Sequence, residues 1–149
     1  MGMSDRIEAF ILELLKNDDE WLEIGRNELA SVFNCVPSQI NYVISTRFGP
    51  DRGYIVESRR GGGGCLRIKR TGQREDSLIY EVILRIGNSI DRAGAYALTE
   101  YLFKNAQLDE LSKNLILSAV SDKSLPQTIG VKRDEIRAGI LKNMLAQIQ

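Results

Sequence analysis

The chain has 149 residues, no histidine, two cysteines and a formal net charge of zero at pH 7. The lack of histidine excludes histidine general bases, Ser-His and Cys-His nucleophile pairs and histidine-containing zinc sites, and two cysteines cannot fill a structural zinc site. We therefore predict no catalytic activity, no metal and no cofactor. No apolar run reaches the length of a membrane span and no signal peptide is recognisable, so we expect a cytoplasmic protein without membrane contact.

The charges are unevenly distributed along the chain. Residues 1–39 carry a net charge of −5, residues 71–149 are balanced, and residues 40–70 hold seven basic and two acidic side chains, a net charge of +5. Clustered basic residues are typical of a surface that binds nucleic acid. Any such surface is expected to be local to residues 40–70.

The first predicted elements are a helix and a short strand. Apolar residues recur at helical spacing over residues 7–15, and Ser4 is placed to cap that helix. Trp21, Leu22 and Ile24 alternate weakly with polar residues, which favours a short strand that pairs with a later hairpin. We interpret Trp21 as a core residue.

Two helices joined by a tight turn follow. Asn27 is predicted to cap a helix over residues 28–33, and Asn34 to end it, because asparagine tolerates the left-handed conformation better than most residues. Pro37 suits the first turn of a further helix, which runs to about Phe48 and buries Ile40, Val43 and Ile44. This pattern predicts a helix-turn-helix.

The other face of the third helix carries hydrogen-bonding side chains. Side chains of this kind suit base edges and phosphates better than they suit a purely solvated face. We predict that they contact DNA: Ser38, Gln39, Asn41, Tyr42, Ser45, Thr46 and Arg47. The alternative is an amphipathic core helix whose outer face is merely polar.

A glycine cluster between two alternating runs favours DNA binding over that alternative. Residues 54–58 and 65–69 read as strands, and the cluster between them reads as the tip of a hairpin. Consecutive glycines have no side chains to pack and allow close approach to another surface. We predict the wing of a winged helix-turn-helix, which contacts DNA through Arg59, Arg60, Gly61, Gly62, Gly63 and Gly64.

The C-terminal half has a helical pattern. Polar residues 71–76 predict a linker, and the boundary divides an α+β winged helix-turn-helix DNA-binding domain at 1–72 from an all-α dimerisation and regulatory domain at 73–149. Its helices are predicted at about 76–90, 95–103, 108–120 and 136–145. So small a unit cannot bury all its apolar stripes alone, so we expect a two-fold homodimer. A ligand pocket between the helices lacks a convergent polar cluster.

These residues carry a resemblance to a known family. Residues 34–44 (NCVPSQINYVI), 46–48 (TRF) and 52–58 (RGYIVES), with the basic pair and four glycines that follow, resemble CtsR, the class three stress gene repressor family of low-GC Gram-positive bacteria. The similarity covers the N-terminal half without gaps. In the C-terminal half it is looser and is carried by residues 133–138 and the helix that follows.

The resemblance implies a dimeric repressor of heat-shock and protein quality-control genes, including the Clp protease genes and its own operon. Its operator would be a tandem heptanucleotide repeat in double-stranded DNA, released on heating through the glycine-rich wing. Implied partners are the McsA/McsB adaptor and arginine-kinase system and the Clp ATPase and protease. The resemblance also places Arg60 in the minor groove and Arg26 and Arg47 near DNA, and it makes these three arginines candidates for phosphorylation.

Three alternatives remain open. Cys65 replaces an aromatic residue of the family, and it is either a redox-sensitive wing thiol or a small strand residue. The winged domain could instead bind a partner protein and no DNA. Binding of that kind would lack the steep salt dependence of DNA binding. A two-fold dimer suits inverted half-sites, whereas the family's operator is a direct repeat. Either the linker at 71–76 lets one DNA-binding domain rotate relative to the other, or each heptanucleotide has an internal pseudo-symmetry.

Overall fold

The computed structural model describes residues 1–16, 21–59, 64–71, 77–127 and 132–148. It divides into two compact units, the N-terminal unit at Met1–Thr71 and the C-terminal unit at Gly72–Gln149. The predicted hairpin tip at 60–63 and most of the predicted linker, residues 72–76, lie outside the described residues. None of the described helices is long and apolar enough to cross a membrane.

The described residues of the N-terminal unit form three α-helices, a short 3₁₀ helix and a three-stranded antiparallel sheet. The sheet has the order β1-β3-β2, so that β3 is the central strand. In chain order the elements are α1 (Met3–Leu15), β1 (Leu22–Gly25), α2 (Arg26–Phe33), α3 (Pro37–Arg47), a short 3₁₀ helix (Pro50–Arg52), β2 (Tyr54–Arg59) and β3 (Cys65–Arg70).

The turn between α2 and α3 has the predicted geometry. Asn34 adopts a left-handed conformation with φ of 52° and ends α2. The backbone N–H of Cys35 donates to the carbonyl of Ala30 over 2.9 Å, which satisfies a carbonyl at the end of the helix. Pro37 lies in the first turn of α3, where no intrahelical N–H is needed. The predicted helix-turn-helix is confirmed.

Two predicted helix caps were wrong. Gly2 precedes α1, and Ser4 lies inside that helix, where its hydroxyl accepts a hydrogen bond from Gln39 Nε2 over 2.9 Å. Helix α2 begins at Arg26, directly after β1, and not after Asn27. The Arg26 N–H donates to the carbonyl of Gly64 over 3.0 Å, so the sheet satisfies a first-turn donor that a capping side chain would otherwise serve.

One hydrophobic core holds the N-terminal unit together. The central strand contributes Leu66 and Ile68, which alternate with outward-facing residues and lie opposite Ile24 and Leu22 of β1. These strand residues pack against the buried faces of all three helices. The buried helical residues are Ile7, Ile11, Leu15, Leu29, Ala30, Ile40, Val43 and Ile44.

The C-terminal unit is helical in its described residues, with α4 (Leu78–Ile86), α5 (Arg92–Lys104), α6 (Glu110–Ala119) and α7 (Arg133–Leu145). Side chains of Ser77, Asp91 and Asp109 cap the first three of these helices by accepting backbone N–H bonds of 2.7–3.1 Å. Helix α4 is shorter than predicted. It ends at Ile86 because Gly87 takes a positive φ of 63°, which breaks the helical path.

The apolar stripe predicted for α6 is split between two environments. Leu108, Ile116 and Val120 are buried in the core of the C-terminal unit, whereas Leu111 and Leu115 are 67% and 58% exposed. The core is completed by apolar residues of the other helices, among them Ile79, Val82, Ile83, Ile86, Ala95, Leu102, Ala138, Leu141 and Leu145. This unit therefore leaves large apolar side chains uncovered when it stands alone.

A buried arginine joins α7 to the rest of the C-terminal unit. Arg137 is 1% exposed, and its guanidinium donates to the carbonyls of Val120 over 2.9 Å and Ile90 over 3.2 Å. It also forms ion pairs with Asp122, at 2.6 Å, and with Asp134. The buried cation is thus compensated by two carboxylates and two backbone acceptors.

We predict that Arg137→Met lowers the free energy of unfolding of the C-terminal unit by roughly 3 kcal/mol, because the buried carbonyl of Val120 and the part-buried carbonyl of Ile90 lose their donor. Urea unfolding followed by circular dichroism measures the loss. The only tryptophan of the sequence, Trp21, lies in the N-terminal unit, so its fluorescence transition should not move. Arg85→Met, which removes an exposed pair with Glu81, is the control and should cost less than about 0.5 kcal/mol. Equal losses for the two variants would contradict the prediction.

Candidate nucleic-acid interface

The predicted DNA-binding residues of α3 do not all share one environment. Five of the seven are exposed on the outer face of the helix: Ser38, Asn41, Tyr42, Ser45 and Thr46. The hydroxyls of Ser45 and Thr46 donate to the carbonyl of Tyr42 over 3.1 Å and 2.7 Å. The Tyr42 side chain is 56% exposed, although it is large and partly apolar. The remaining two residues, Gln39 and Arg47, contact α1.

The hairpin β2–β3 lies in the predicted place. The register runs from Tyr54 opposite Arg70 to Arg59 opposite Cys65, and Arg59 is exposed at the end of β2. Arg60, Gly61, Gly62 and Gly63 lie outside the described residues. Gly64, at the start of the return strand, has φ of +86°, a conformation that favours glycine over any residue with a side chain.

Arg26 connects α3 to the hairpin. Its Nε donates to Asn41 Oδ1 over 2.7 Å, and its Nη2 donates to Ser58 Oγ over 2.8 Å. Its backbone N–H binds the carbonyl of Gly64. The side chain is half-buried between these elements. The sequence resemblance predicted a position near DNA, and the structure places Arg26 between the two elements predicted to reach it.

Arg47 forms ion pairs with α1. Its Nη1 donates to Asp5 Oδ1 over 2.6 Å and to Glu8 Oε1 over 2.8 Å, and its side chain is 27% exposed. These hydrogen bonds raise the pKa of Arg47 above its usual range, and the hydrogen bond from Arg47 lowers the pKa of Asp5. A phosphate would have to compete with two carboxylates for this guanidinium.

Arg67 is neutralised in a similar way on the sheet. Its Nη1 lies 3.3 Å from Glu57 Oε2, and its Nε lies 3.5 Å from Glu23 Oε1. The central carbon of its guanidinium lies 4.5 Å from the centroid of the Trp21 ring. Trp21 is half-buried beneath this cation, so the prediction that it is a core residue was only partly right. Among the described basic residues of the segment 40–70, the exposed ones are Arg52, Arg59 and Arg70.

The two thiols are free and half-buried. Cys65 is the first residue of β3 and lies opposite Arg59 of β2 and Gly25 of β1. Both the redox and the small-residue interpretations of Cys65 stay predictions. In the part of the chain that the structure describes, no group of three acidic or cysteine side chains is placed to hold a metal ion.

Comparison with known proteins identifies the family. Residues 2–72 match the family model described as the CtsR N-terminal HTH domain, and residues 74–146 match the model described as the CtsR C-terminal dimerization domain. The chain belongs to the CtsR family. The family predicted from residues 34–64 is therefore confirmed, as is the fold class of a winged helix-turn-helix followed by a helical domain.

Full-length relatives agree with this assignment. The chain is 42% identical over 150 residues to "Transcriptional regulator CtsR" of Bacillus subtilis, covering 99% of this chain and 97% of the relative. It is 39% identical over 149 residues to the protein of that name from Lactiplantibacillus plantarum, with coverage of 99% and 96%. These relatives are named as regulators, which confirms that the chain is not an enzyme.

A solved structure also matches. The structure described as "Crystal structure of CtsR in complex with a 26bp DNA duplex" has a TM-score of 0.52 and 38% sequence identity to this chain. The match covers 99% of this chain and 100% of the other.

The ion pair between α1 and α3 predicts a pH dependence. Because its folded-state pKa lies below the usual 3.8, Asp5 stabilises the N-terminal unit fully above that value, and the contribution is lost as pH falls through the lowered pKa. We expect Asp5→Asn to lower the melting temperature near neutral pH, measured by the fluorescence of Trp21. The difference in melting temperature between the variant and wild type should shrink in acid. Glu13→Gln, at the exposed pair with Lys16, is the control and should change little at any pH. A difference that stays constant down to acid pH would contradict the prediction.

Proposed function

We propose that the chain is a homodimeric, sequence-specific transcriptional repressor that binds double-stranded DNA with its N-terminal unit. The observation that supports this most is the arrangement of the exposed polar face of α3 beside the hairpin β2–β3, with Arg26 between them. The relative solved with a DNA duplex supports the same role.

In this proposal α3 enters the major groove. Ser38, Asn41 and Tyr42 are exposed along its outer face, and side chains of these types hydrogen-bond to base edges and phosphates. Ser45 and Thr46 lie further along the same face. Gln39 and Arg47, which contact α1, are assigned a supporting role that fixes the angle of α3.

The hairpin supplies the second contact, in the adjacent minor groove. Arg59 is exposed at the end of β2, and Arg60 precedes the four glycines in sequence. Arginine in a narrow minor groove responds to groove width and potential more than to base identity. We assign Arg60 to that groove, and we assign Gly61, Gly62, Gly63 and Gly64 to close approach of the backbone to the DNA.

A DNA-binding assay tests this function. We expect wild type to bind a tandem heptanucleotide operator more tightly than scrambled DNA and to lose affinity steeply as salt rises. Arg60→Ala should weaken operator binding at least tenfold, and an unchanged melting temperature would show that the loss is not caused by unfolding. Arg85→Ala in the C-terminal unit is the matched control and should bind as wild type does.

The outcomes of that assay separate the two candidate functions. Near-native affinity of Arg60→Ala would contradict the role of the wing. Wild type that binds neither DNA, at any salt concentration, would instead favour the protein-interaction module. Repeating the titration at raised temperature tests thermal release, which we attribute to the conformational entropy lost when the glycine-rich wing is ordered on DNA.

The biological setting follows from family membership and stays a proposal. We propose that the repressed genes are heat-shock and protein quality-control genes, including those of the Clp protease, and that the protein acts in the cytoplasm. Inactivation would use the McsA/McsB adaptor and arginine kinase and the Clp ATPase and protease. Phosphorylating Arg60 would oppose DNA binding by adding negative charge, whereas at Arg26 or Arg47 it would also break the hydrogen bonds described above.

The C-terminal unit offers a surface for the dimer. Leu111 and Leu115 are exposed on α6, and a mostly apolar groove lies between this helix and the C-terminal residues. We call this surface the α6–α7 face; its groove is lined by Ser112, Leu115, Ile116, Met144, Gln147 and Ile148. Because residues 74–146 match a dimerization domain, we propose that a second copy covers this face.

Charge placed on the α6–α7 face should therefore prevent dimerisation. We expect Leu115→Glu to give a monomer in analytical ultracentrifugation at micromolar concentration, since it buries a charge without a partner. Leu84→Glu, at a leucine of α4 that is 53% exposed, is the matched control and should remain dimeric. A dimer that survives Leu115→Glu but not Leu84→Glu would place the interface on α4 instead.

A further inference from the structure

Arg26 makes three contacts that reach widely separated parts of the sequence. The side chain binds Asn41 of α3 and Ser58 of β2, and the backbone N–H binds Gly64 at the start of the return strand. The two side-chain bonds measure 2.7 Å and 2.8 Å. They are charge-assisted, which makes them stronger than bonds between neutral groups. One residue thus links the outer face of α3 to β2 and to Gly64, the residue that precedes β3.

The guanidinium of Arg26 is held in one orientation by its neighbours. Nε and Nη2 are used by Asn41 and Ser58, and Nη1 lies against Gly64. A Cβ atom added at Gly64 would approach Arg26 Nη1 to 2.8 Å, closer than real Cβ contacts. The plane of the guanidinium is therefore fixed by two acceptors and by a neighbouring backbone. Two of the five guanidinium N–H donors are used in these bonds, and they tie α3 to β2 in a fixed arrangement, as a positioning residue would.

We propose that Arg26 is a positioning residue that sets the distance and angle between α3 and the wing. The inference rests on the proposed DNA-binding function and assigns to Arg26 a role other than direct contact with DNA. Helix and wing must meet two adjacent grooves at once, so a fixed spacing lowers the entropy lost on binding. Without the Arg26 side chain, α3 and the wing keep their own DNA-contacting side chains, but the distance and angle between the two elements are no longer fixed.

Salt dependence distinguishes a positioning residue from a phosphate contact. Losing one phosphate contact lowers the slope of log K against log salt by about 1. We expect Arg26→Ala and Arg26→Lys each to weaken operator binding at least tenfold with the slope unchanged. Lysine keeps the charge but cannot reproduce the planar fork of donors. A slope reduced by about 1 in Arg26→Ala, with near-native affinity restored in Arg26→Lys, would overturn the proposal.

Hydrogen exchange in the absence of DNA supplies an independent readout. We expect amides of β2 and of the start of β3 to exchange at least tenfold faster in Arg26→Lys than in wild type, whereas amides of α1 keep their protection. Unchanged exchange in the hairpin would contradict the proposal even if DNA affinity fell. If wild type itself bound no DNA, the proposed function would fail, but this measurement would still test the link between α3 and the hairpin.

Two glycines provide a matched pair of variants. Gly64 and Gly53 both have a positive φ, +86° and +87°, so alanine is strained at both positions. At Gly53 the nearest atom to an added Cβ is Thr71 Oγ1 at 4.0 Å, whereas at Gly64 it is Arg26 Nη1. We expect Gly64→Ala to weaken operator binding at least fivefold more than Gly53→Ala.

A double-mutant cycle then identifies the cause of that difference. If Gly64→Ala acts by displacing Arg26, it should cost much less in the Arg26→Ala background than in wild type. The same fold-loss in both backgrounds would show that the two positions act independently and would overturn the proposal.

Discussion

The position of the hairpin depends on the pairing of β3 with two strands at once. Leu66 and Ile68 anchor β3 in the core, while its backbone pairs with β1 on one side and β2 on the other. Because β1 leads directly into α2, this pairing brings Gly64 to the first residue of that helix, Arg26. The guanidinium then extends the connection to α3. A local strand register thereby controls the geometry of the whole candidate interface.

Charge in the N-terminal unit is used largely within the unit. Three acidic residues that precede α3 in sequence are internal partners in the fold, since Asp5 and Glu8 bind Arg47, and Glu23 lies beside Arg67. This pairing leaves positive charge exposed mainly around the hairpin. A chain with no net charge can in this way present a local basic surface. The arginines that form ion pairs within the unit, Arg47 and Arg67, are thus different residues from the exposed arginines, Arg52, Arg59 and Arg70.

Sequence patterns predicted the features that depend on local chemistry. Hydrophobic periodicity located the helices and the hairpin, and Asn34 marked the tight turn, because neighbouring residues determine these features. Features that depend on distant residues were missed. The start of α2 is fixed by a hydrogen bond to Gly64, and Arg137 binds the carbonyls of Val120 and Ile90, which lie far away in sequence. At the candidate site, residue type alone could not show that Arg47 binds carboxylates of α1.

The central claim is that α3 and the hairpin form one surface for DNA. The most direct test is nuclear magnetic resonance of the isotopically labelled chain during titration with an operator duplex. Our account predicts that chemical-shift changes concentrate on the exposed face of α3, around Ser38 and Tyr42, and on β2 and the start of β3, including Arg59. Changes that map instead to α1 or to the α6–α7 face, with α3 and the hairpin unperturbed, would contradict it.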